Sequence, residues 1–330
     1  MYILLIFLPN YKGEAVSRAN AKRGDLMESE VRSDLAMESV GDISSLPAGV
    51  RWREEQIGGM VIGRLHIQSA EASETLGKPR GSYVTVLCGG LSALSAAEEH
   101  VLTRLLAGEL RGMSGRLTGK RQGEVFGVLV IGLGNAELTA DSIGPKTVAG
   151  LNVTRHLHAD SVTESLFPSY DVRLSALAPG VTGQTGIEVR ELLCGAVQTV
   201  HPDLIIAVDS LAARSCDRLA ATVQISDTGI IPGSGVGNHR SAITLETVGV
   251  PVISVGVPTV ILSSLLVRDA LCEAGSGVPE ESLERVLKNR PSFFVSPKDC
   301  DVVTARASRL LAGAINAAFV SVQENPDADA

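Results

Sequence analysis

Val125-Phe-Gly-Val-Leu-Val-Ile-Gly-Leu-Gly134 and Asp203-Leu-Ile-Ile-Ala-Val-Asp209 are the two stretches that decide the fold. Each is a short, nearly continuous apolar run stopping at a glycine or an acid, the pattern of a strand covered on both faces. Outward from them the chain alternates. Met60–Ile67, Ser82–Cys88, Val172–Leu177, Thr222–Ser226 and Pro251–Val257 read as further strands. Ser95–Leu110, Ile143–Leu157, Gly186–Val200, Ser263–Ala274, Pro279–Lys288 and Asp301–Ala318 have helical spacing. Ser95 and Glu98 form a capping box, and Pro145 sits in the first turn of its helix. Such alternation predicts an α/β fold with a largely parallel central sheet flanked by helices, its strand order not legible. Residues 1–34 lack a sustained period and carry a basic cluster at Arg18, Lys22 and Arg23. They are expected to be a leader before a single domain over 35–330.

Composition narrows the function. The 330 residues are 45% hydrophobic and 20% charged, which supports a full core and argues against disorder. A net charge of −8 gives no general attraction to nucleic acid or to an anionic membrane, and it suits a basic protein partner. The five cysteines include no C-x-x-C pair and are expected to be reduced thiols in the cytoplasm. No apolar run reaches the ~20 residues of a spanning helix. Met1–Leu8 is apolar but lacks a basic flank and a cleavage site, which argues against a secretory signal and leaves Met1 and Met27 as alternative starts.

Several motifs are absent or incomplete. Gly132-Leu-Gly134 occupies the place of a dinucleotide loop, but Glu137 stands where the third glycine belongs. A phosphate loop with Gly-Lys-Ser/Thr, a nucleophile elbow and H-E-x-x-H are all missing. His156 and His158 are two apart near a helix end and point in different directions. Asp141 follows the first decisive strand and Asp209 ends the second, at the carboxyl edge where open α/β sheets bind ligands. Two converging carboxylates cannot both ionise cheaply; one keeps its proton while the other takes one from water. The same acids would also serve as a helix cap and as a partner of Arg214. Ser226–Asn238 holds glycines at 229, 233, 235 and 237, whose backbone N–H groups could line an oxyanion or substrate site. Asp227 is a reserve acid in that loop.

At these segments the chain resembles the germination protease family of spore-forming bacteria. The resemblance is carried by Arg32-Ser-Asp-Leu-Ala-Met-Glu38, Gly132-Leu-Gly-Asn135, Asp141-Ser-Ile-Gly-Pro145 and Val153-Thr-Arg-His156. It continues, in order, through Ala178–Glu188, Ala207–Ser215, Gln224–Ile230, Pro232–Asn238, Gly256–Val260 and Phe294–Asp299. It implies an endopeptidase that degrades small acid-soluble DNA-coating spore proteins at germination, cutting after an acidic residue. It also implies a self-processing zymogen in the spore core, a homotetramer, no cofactor, and Asp141 and Asp209 as the catalytic acids. Self-cleavage would fall between Asp34 and Leu35. A weaker similarity to hydrogenase-maturation peptidases implies their fold. Ala140 replaces the usual Pro before Asp141, and Ile261-Leu-Ser replaces a segment that carries an acid in many relatives. The alternatives are a metal-dependent peptidase using the same carboxylates as ligands, an inactive relative that only binds spore proteins, and a nucleotide-binding protein.

Overall fold

The computed structural model describes residues 33–40, 46–120, 124–158, 172–236, 240–289 and 293–320. The basic cluster at residues 18–23, the start at Met27, and Gly237 and Asn238 of the glycine loop lie outside them. Nine strands form one sheet among the described residues: β1 (Val50–Ile57), β2 (Met60–Ile67), β3 (Gly81–Leu87), β4 (Phe126–Gly132), β5 (Val172–Leu177), β6 (Leu204–Ala213), β7 (Thr222–Ser226), β8 (Val252–Leu262) and β9 (Phe294–Val295). Their order is β1-β2-β3-β7-β8-β6-β4-β5, with β9 paired to β8.

The expected largely parallel sheet is corrected here. Only β8-β6-β4-β5 run parallel; β1-β2-β3-β7-β8 and β8-β9 pair antiparallel. An apolar run buried on both faces reads the same in either direction, so the pattern of β3 or β7 carries no sign of its sense. The β1–β2 turn does carry one. Gly58 and Gly59 have φ of +57° and +81° and link Ile57 to its partner Met60, a two-residue hairpin that only glycine-like residues make easily.

The helices are α1 (Ala70–Leu76), α2 (Ala96–Thr118), α3 (Ile143–Ala149), α4 (Val189–Val200), α5 (Ser263–Glu273), α6 (Glu280–Lys288) and α7 (Cys300–Phe319), with two further single turns at Thr182–Thr185 and Leu245–Val248. The capping box of α2 is made: Ser95 Oγ accepts the Glu98 N–H at 3.3 Å, and the Glu98 carboxylate accepts the Ser95 N–H at 2.8 Å. This helix runs two turns beyond its expected end, to a left-handed Gly119. Conversely, α3 stops at Ala149 before Gly150, well short of Leu157.

Strand alternation sorts the core into two faces. Leu204, Ile206 and Val208 of β6, with Val84, Val130 and Val255, pack under α2, α3 and α7. Ile205 and Ala207 of β6, with Leu129, Ile131 and Val252, pack under Val189 and Leu193 of α4. Asp209 therefore belongs to the second face, one step beyond the patch α4 covers. Among the described residues no helix is long and apolar enough to cross a membrane.

Candidate active site

Asp209 stands in a row that crosses three strands. It pairs with Gly256 of β8, and Gly256 pairs with Gln224 of β7. Directly paired residues point to the same face, so Asp209 and Gln224 rise side by side with a glycine between them. Asp209 was expected to end its strand; instead β6 continues to Ala213, because β8 runs on beside it with a register shift between Leu211 and Ala212. The carboxylate thus sits inside the strand and is only 6% exposed. Its Oδ1 accepts the N–H of Ser210 at 2.8 Å.

Asp141 arrives from β4 through a tight loop. It closes a single 3-10 turn, Thr139–Asp141, and its N–H donates to the Leu138 carbonyl at 2.8 Å. The carboxylate Oδ2 accepts the Asn135 N–H at 2.8 Å. Thr259 on β8 donates its hydroxyl to the Ala140 carbonyl at 2.6 Å, which ties the turn to the sheet. The Gly132-Leu-Gly134 sequence makes the turn-back feasible. Gly134 has φ +106°, and a Cβ there would lie 2.1 Å from the Asp141 carbonyl oxygen. A Cβ on Gly132 would lie 2.3 Å from the Gly144 carbonyl, so these glycines serve close packing of α3 and the Asp141 loop.

Asp209 feels the charge of Asp141. Burial pushes the Asp209 carboxyl well above the ordinary carboxylate range, and the charges of Asp141 and Asp34 push it further. Its bond from Ser210 and the Arg240 guanidinium act in the opposite sense. Asp141 is also raised by burial, against the Asn135 hydrogen bond and Arg240. Burial and neighbouring negative charge thus both favour the protonated form of Asp209.

Residues 33–40 lie across this face. Asp34 is anchored on both sides: its N–H donates to the Ala212 carbonyl at 3.2 Å, and its Oδ2 accepts the Ala212 N–H at 2.9 Å. Its Oδ1 accepts the Ser234 hydroxyl at 2.7 Å. Gly235 leaves the room; a Cβ there would lie 2.4 Å from Asp34 Oδ2. Leu35 and Ala36 are fully buried, Leu35 against Leu211 and Ala213 with Ile230 alongside. Burial of a leucine side chain is worth ~1.5–3 kcal/mol. Glu38 accepts the backbone N–H groups of Arg214 and Ser215 at 2.8 and 2.9 Å, as well as the Ser33 hydroxyl. Lys78 Nζ donates to the Ser33 carbonyl at 2.6 Å; burial lowers the pKa of this lysine while Asp34 and Glu38 act to raise it. The cleft around the segment has a volume of about 810 Å³ and is lined by Asp34, Lys78, Leu211, Gln224, Ser234 and Gly256 among others.

Asp141, Asp209, Asp34 and Leu35 are therefore brought to one region. The other candidates are not. Asp227 accepts the Ser82 N–H at 2.6 Å and fastens β3 to β7. His156 is exposed on a single turn, Arg155–His158. The five cysteines are unpaired. Among the described residues no three His, Cys, Asp or Glu side chains are grouped as a metal site. Sequence reasoning missed Arg240, Lys78 and Ser234 and assigned no role to Gln224; none belongs to a motif with its own chemistry, and only the glycines around Ser234 hinted at a site.

A family model described as germination protease matches residues 28–273. The germination protease of Priestia megaterium is 40% identical over 263 residues, covering 76% of this chain and 68% of that protein. That of Caldanaerobacter subterraneus subsp. tengcongensis is 36% identical over 313 residues, covering 88% of this chain and 94% of its own length. That of Clostridium acetobutylicum is 34% identical over 318 residues, covering 88% and 95%.

Proposed function

This chain belongs to the germination protease family, a family of spore peptidases, and on that premise we propose that it is an endopeptidase made as a self-processing zymogen. Its leader is residues 1–34, its peptidase domain 35–330, and the first bond it cuts is Asp34–Leu35. Its substrates in the spore core are the small acid-soluble proteins that coat DNA. The enzyme reads their chain, not the nucleic acid, as its net charge of −8 suits. It works as a homotetramer, a property taken from the resemblance.

Asp141 and Asp209 act as a coupled pair. The ionised member takes a proton from water, and the water oxygen adds to the peptide carbonyl carbon. The protonated member then gives its proton to the leaving nitrogen. Such a pair titrates as a unit, and neither a metal nor a covalent intermediate is required. The observation that carries the reading is the position of Asp34. The residue whose peptide bond is proposed to be cut is hydrogen-bonded to the backbone of Ala212, three residues along β6 from the buried Asp209. The acid-binding contacts from Ala212 and Ser234 explain a preference for cutting after an acidic residue.

The test is the intact mass of the full chain after incubation at mildly acidic pH, with and without a chelator, beside Asp209→Asn and Asp141→Asn. Loss of residues 1–34 from the wild type alone, chelator or not, is the expected result. Trimming of all three proteins would move catalysis elsewhere, and chelator-sensitive trimming would make the carboxylates metal ligands.

A further inference from the structure

Gln224 is 7% exposed, and among the described residues both hydrogen bonds of its side chain go to the segment carrying the Asp34–Leu35 bond. Nε2 donates to the Asp34 carbonyl oxygen at 2.9 Å, and Oε1 accepts the Ala36 N–H at 2.6 Å. The orientation of the amide is fixed by its partners, since a carbonyl can only accept and an N–H can only donate. The Asp34 carbonyl is the carbonyl of the scissile peptide. Ala36 is fully buried, so the bond to its N–H satisfies an interior backbone donor, whereas the bond to the Asp34 carbonyl reaches the peptide proposed to be cut.

We propose that Gln224 is a catalytic residue of this peptidase: its amide clamps the peptide on either side of Leu35 and donates to the oxyanion that forms on the scissile carbonyl. The inference rests on the reading that Asp34–Leu35 is the bond cut. Gln224 and Asp209 stand in one row on the same face, flanking Gly256, with Cα atoms two strand spacings or ~10 Å apart. Over Gly256 lies the Leu211 side chain, which packs against Leu35 of the segment that Gln224 holds.

In the addition step, water oxygen bonds to the Asp34 carbonyl carbon, and the water proton passes to the ionised member of the aspartate pair. The carbonyl π electrons move onto oxygen, and the resulting oxyanion faces Gln224 Nε2–H. Collapse re-forms the carbonyl and breaks the bond to Leu35 nitrogen, which takes the proton held by the pair. The products are a carboxylic acid on Asp34 and an amine on Leu35. An amide suits this place better than any ionisable group. It supplies donor and acceptor at once, and it adds no charge beside Asp34 and Asp209.

The experiment follows self-processing of the full chain by intact mass at fixed protein concentration, comparing wild type with Gln224→Glu and Gln224→Met. Gln224→Met loses donor and acceptor without adding charge; Gln224→Glu is followed at pH 8 as well as at mildly acidic pH, so that the carboxylate, which keeps an acceptor for the Ala36 N–H and has no donor, is compared with its protonated form. Gln224→Met, and Gln224→Glu at pH 8, are each expected to process ~100–1,000-fold more slowly than wild type at the same pH, the usual cost of one oxyanion donor, with a melting temperature close to that of wild type. Processing within threefold of wild type by either folded variant under those conditions overturns the proposal. Asp209→Asn is run beside them. If it processes at the wild-type rate while the Gln224 variants are slow, the aspartate pair fails and Gln224 stands. A wild-type chain that is never trimmed overturns both.

Discussion

Asp209 carries opposing demands. The proposed chemistry asks for a carboxyl that keeps its proton more readily than an exposed one, and burial beside the charges of Asp141 and Asp34 shifts Asp209 in that direction. Stability is weakened by the same arrangement. The unfolded chain ionises this group at about pH 3.9, whereas the folded chain does so at a higher pH. Below the unfolded value both states are protonated and the full stability is present. As pH rises through the folded value, stability is lost, because the unfolded state releases the proton first. Asp209→Asn removes that loss and keeps an oxygen for the Ser210 N–H. The variant is expected to melt above wild type at pH 7, with the gap closing as pH falls toward 4. Thermal melts at the two pH values check this; a variant less stable at pH 7 would show that burial does not govern the ionisation of Asp209.

At the element scale the same balance appears in the loop between β4 and α3. Gly134 has φ +106° and no space for a Cβ beside Asp141, so its role is to let the acid fold back over the strand end. Gly134→Ala is expected to lower stability by ~1–3 kcal/mol, the scale of a strained backbone position, and to slow self-processing at least tenfold. An intact-mass time course and a denaturant titration measure the two effects, and unchanged processing would detach the Asp141 turn from catalysis. This loop was legible in part. Strand, glycines and following helix were readable around Asp141, as Val172–Leu177 and Thr222–Ser226 were readable to the residue. The sense of the strands was not, since burial on both faces erases direction. β1 was missed because Val50-Arg-Trp-Arg-Glu-Glu-Gln-Ile57 is mostly polar, an edge strand with exposed side chains, although the Gly58-Gly59 turn was there to be read. Gln224 shows the other limit. A neutral amide has no motif, and its two contacts become visible only when the segment of residues 34–36, nearly 190 positions away, is laid across it.

At the scale of the whole molecule, the proposed function makes that segment the chain's own first substrate. Residues 33–39 run from Lys78 and Ser234 past Gln224 to the Arg214 and Ser215 amides, holding the cleft from one end to the other. A tethered occupant of this kind has an effective concentration in the millimolar range, so a free peptide at micromolar concentration cannot displace it. Under the proposed self-processing, cutting after Asp34 would release the half of the occupant that holds the acid site, while Leu35 and Ala36 begin fully buried on the other half. Two steps of unmasking follow. A chain beginning at Leu35 is expected to cleave a peptide of sequence Arg32–Ser39 at least about tenfold more efficiently, in kcat/KM, than a full chain kept uncut by Asp34→Asn. A chain beginning at Val40 is expected to be faster again, because Leu35 no longer competes for the pocket of Leu211 and Ala213. Equal rates for all three would mean that the segment leaves the cleft freely in solution and that the uncut chain is not held inactive by its own N-terminal residues.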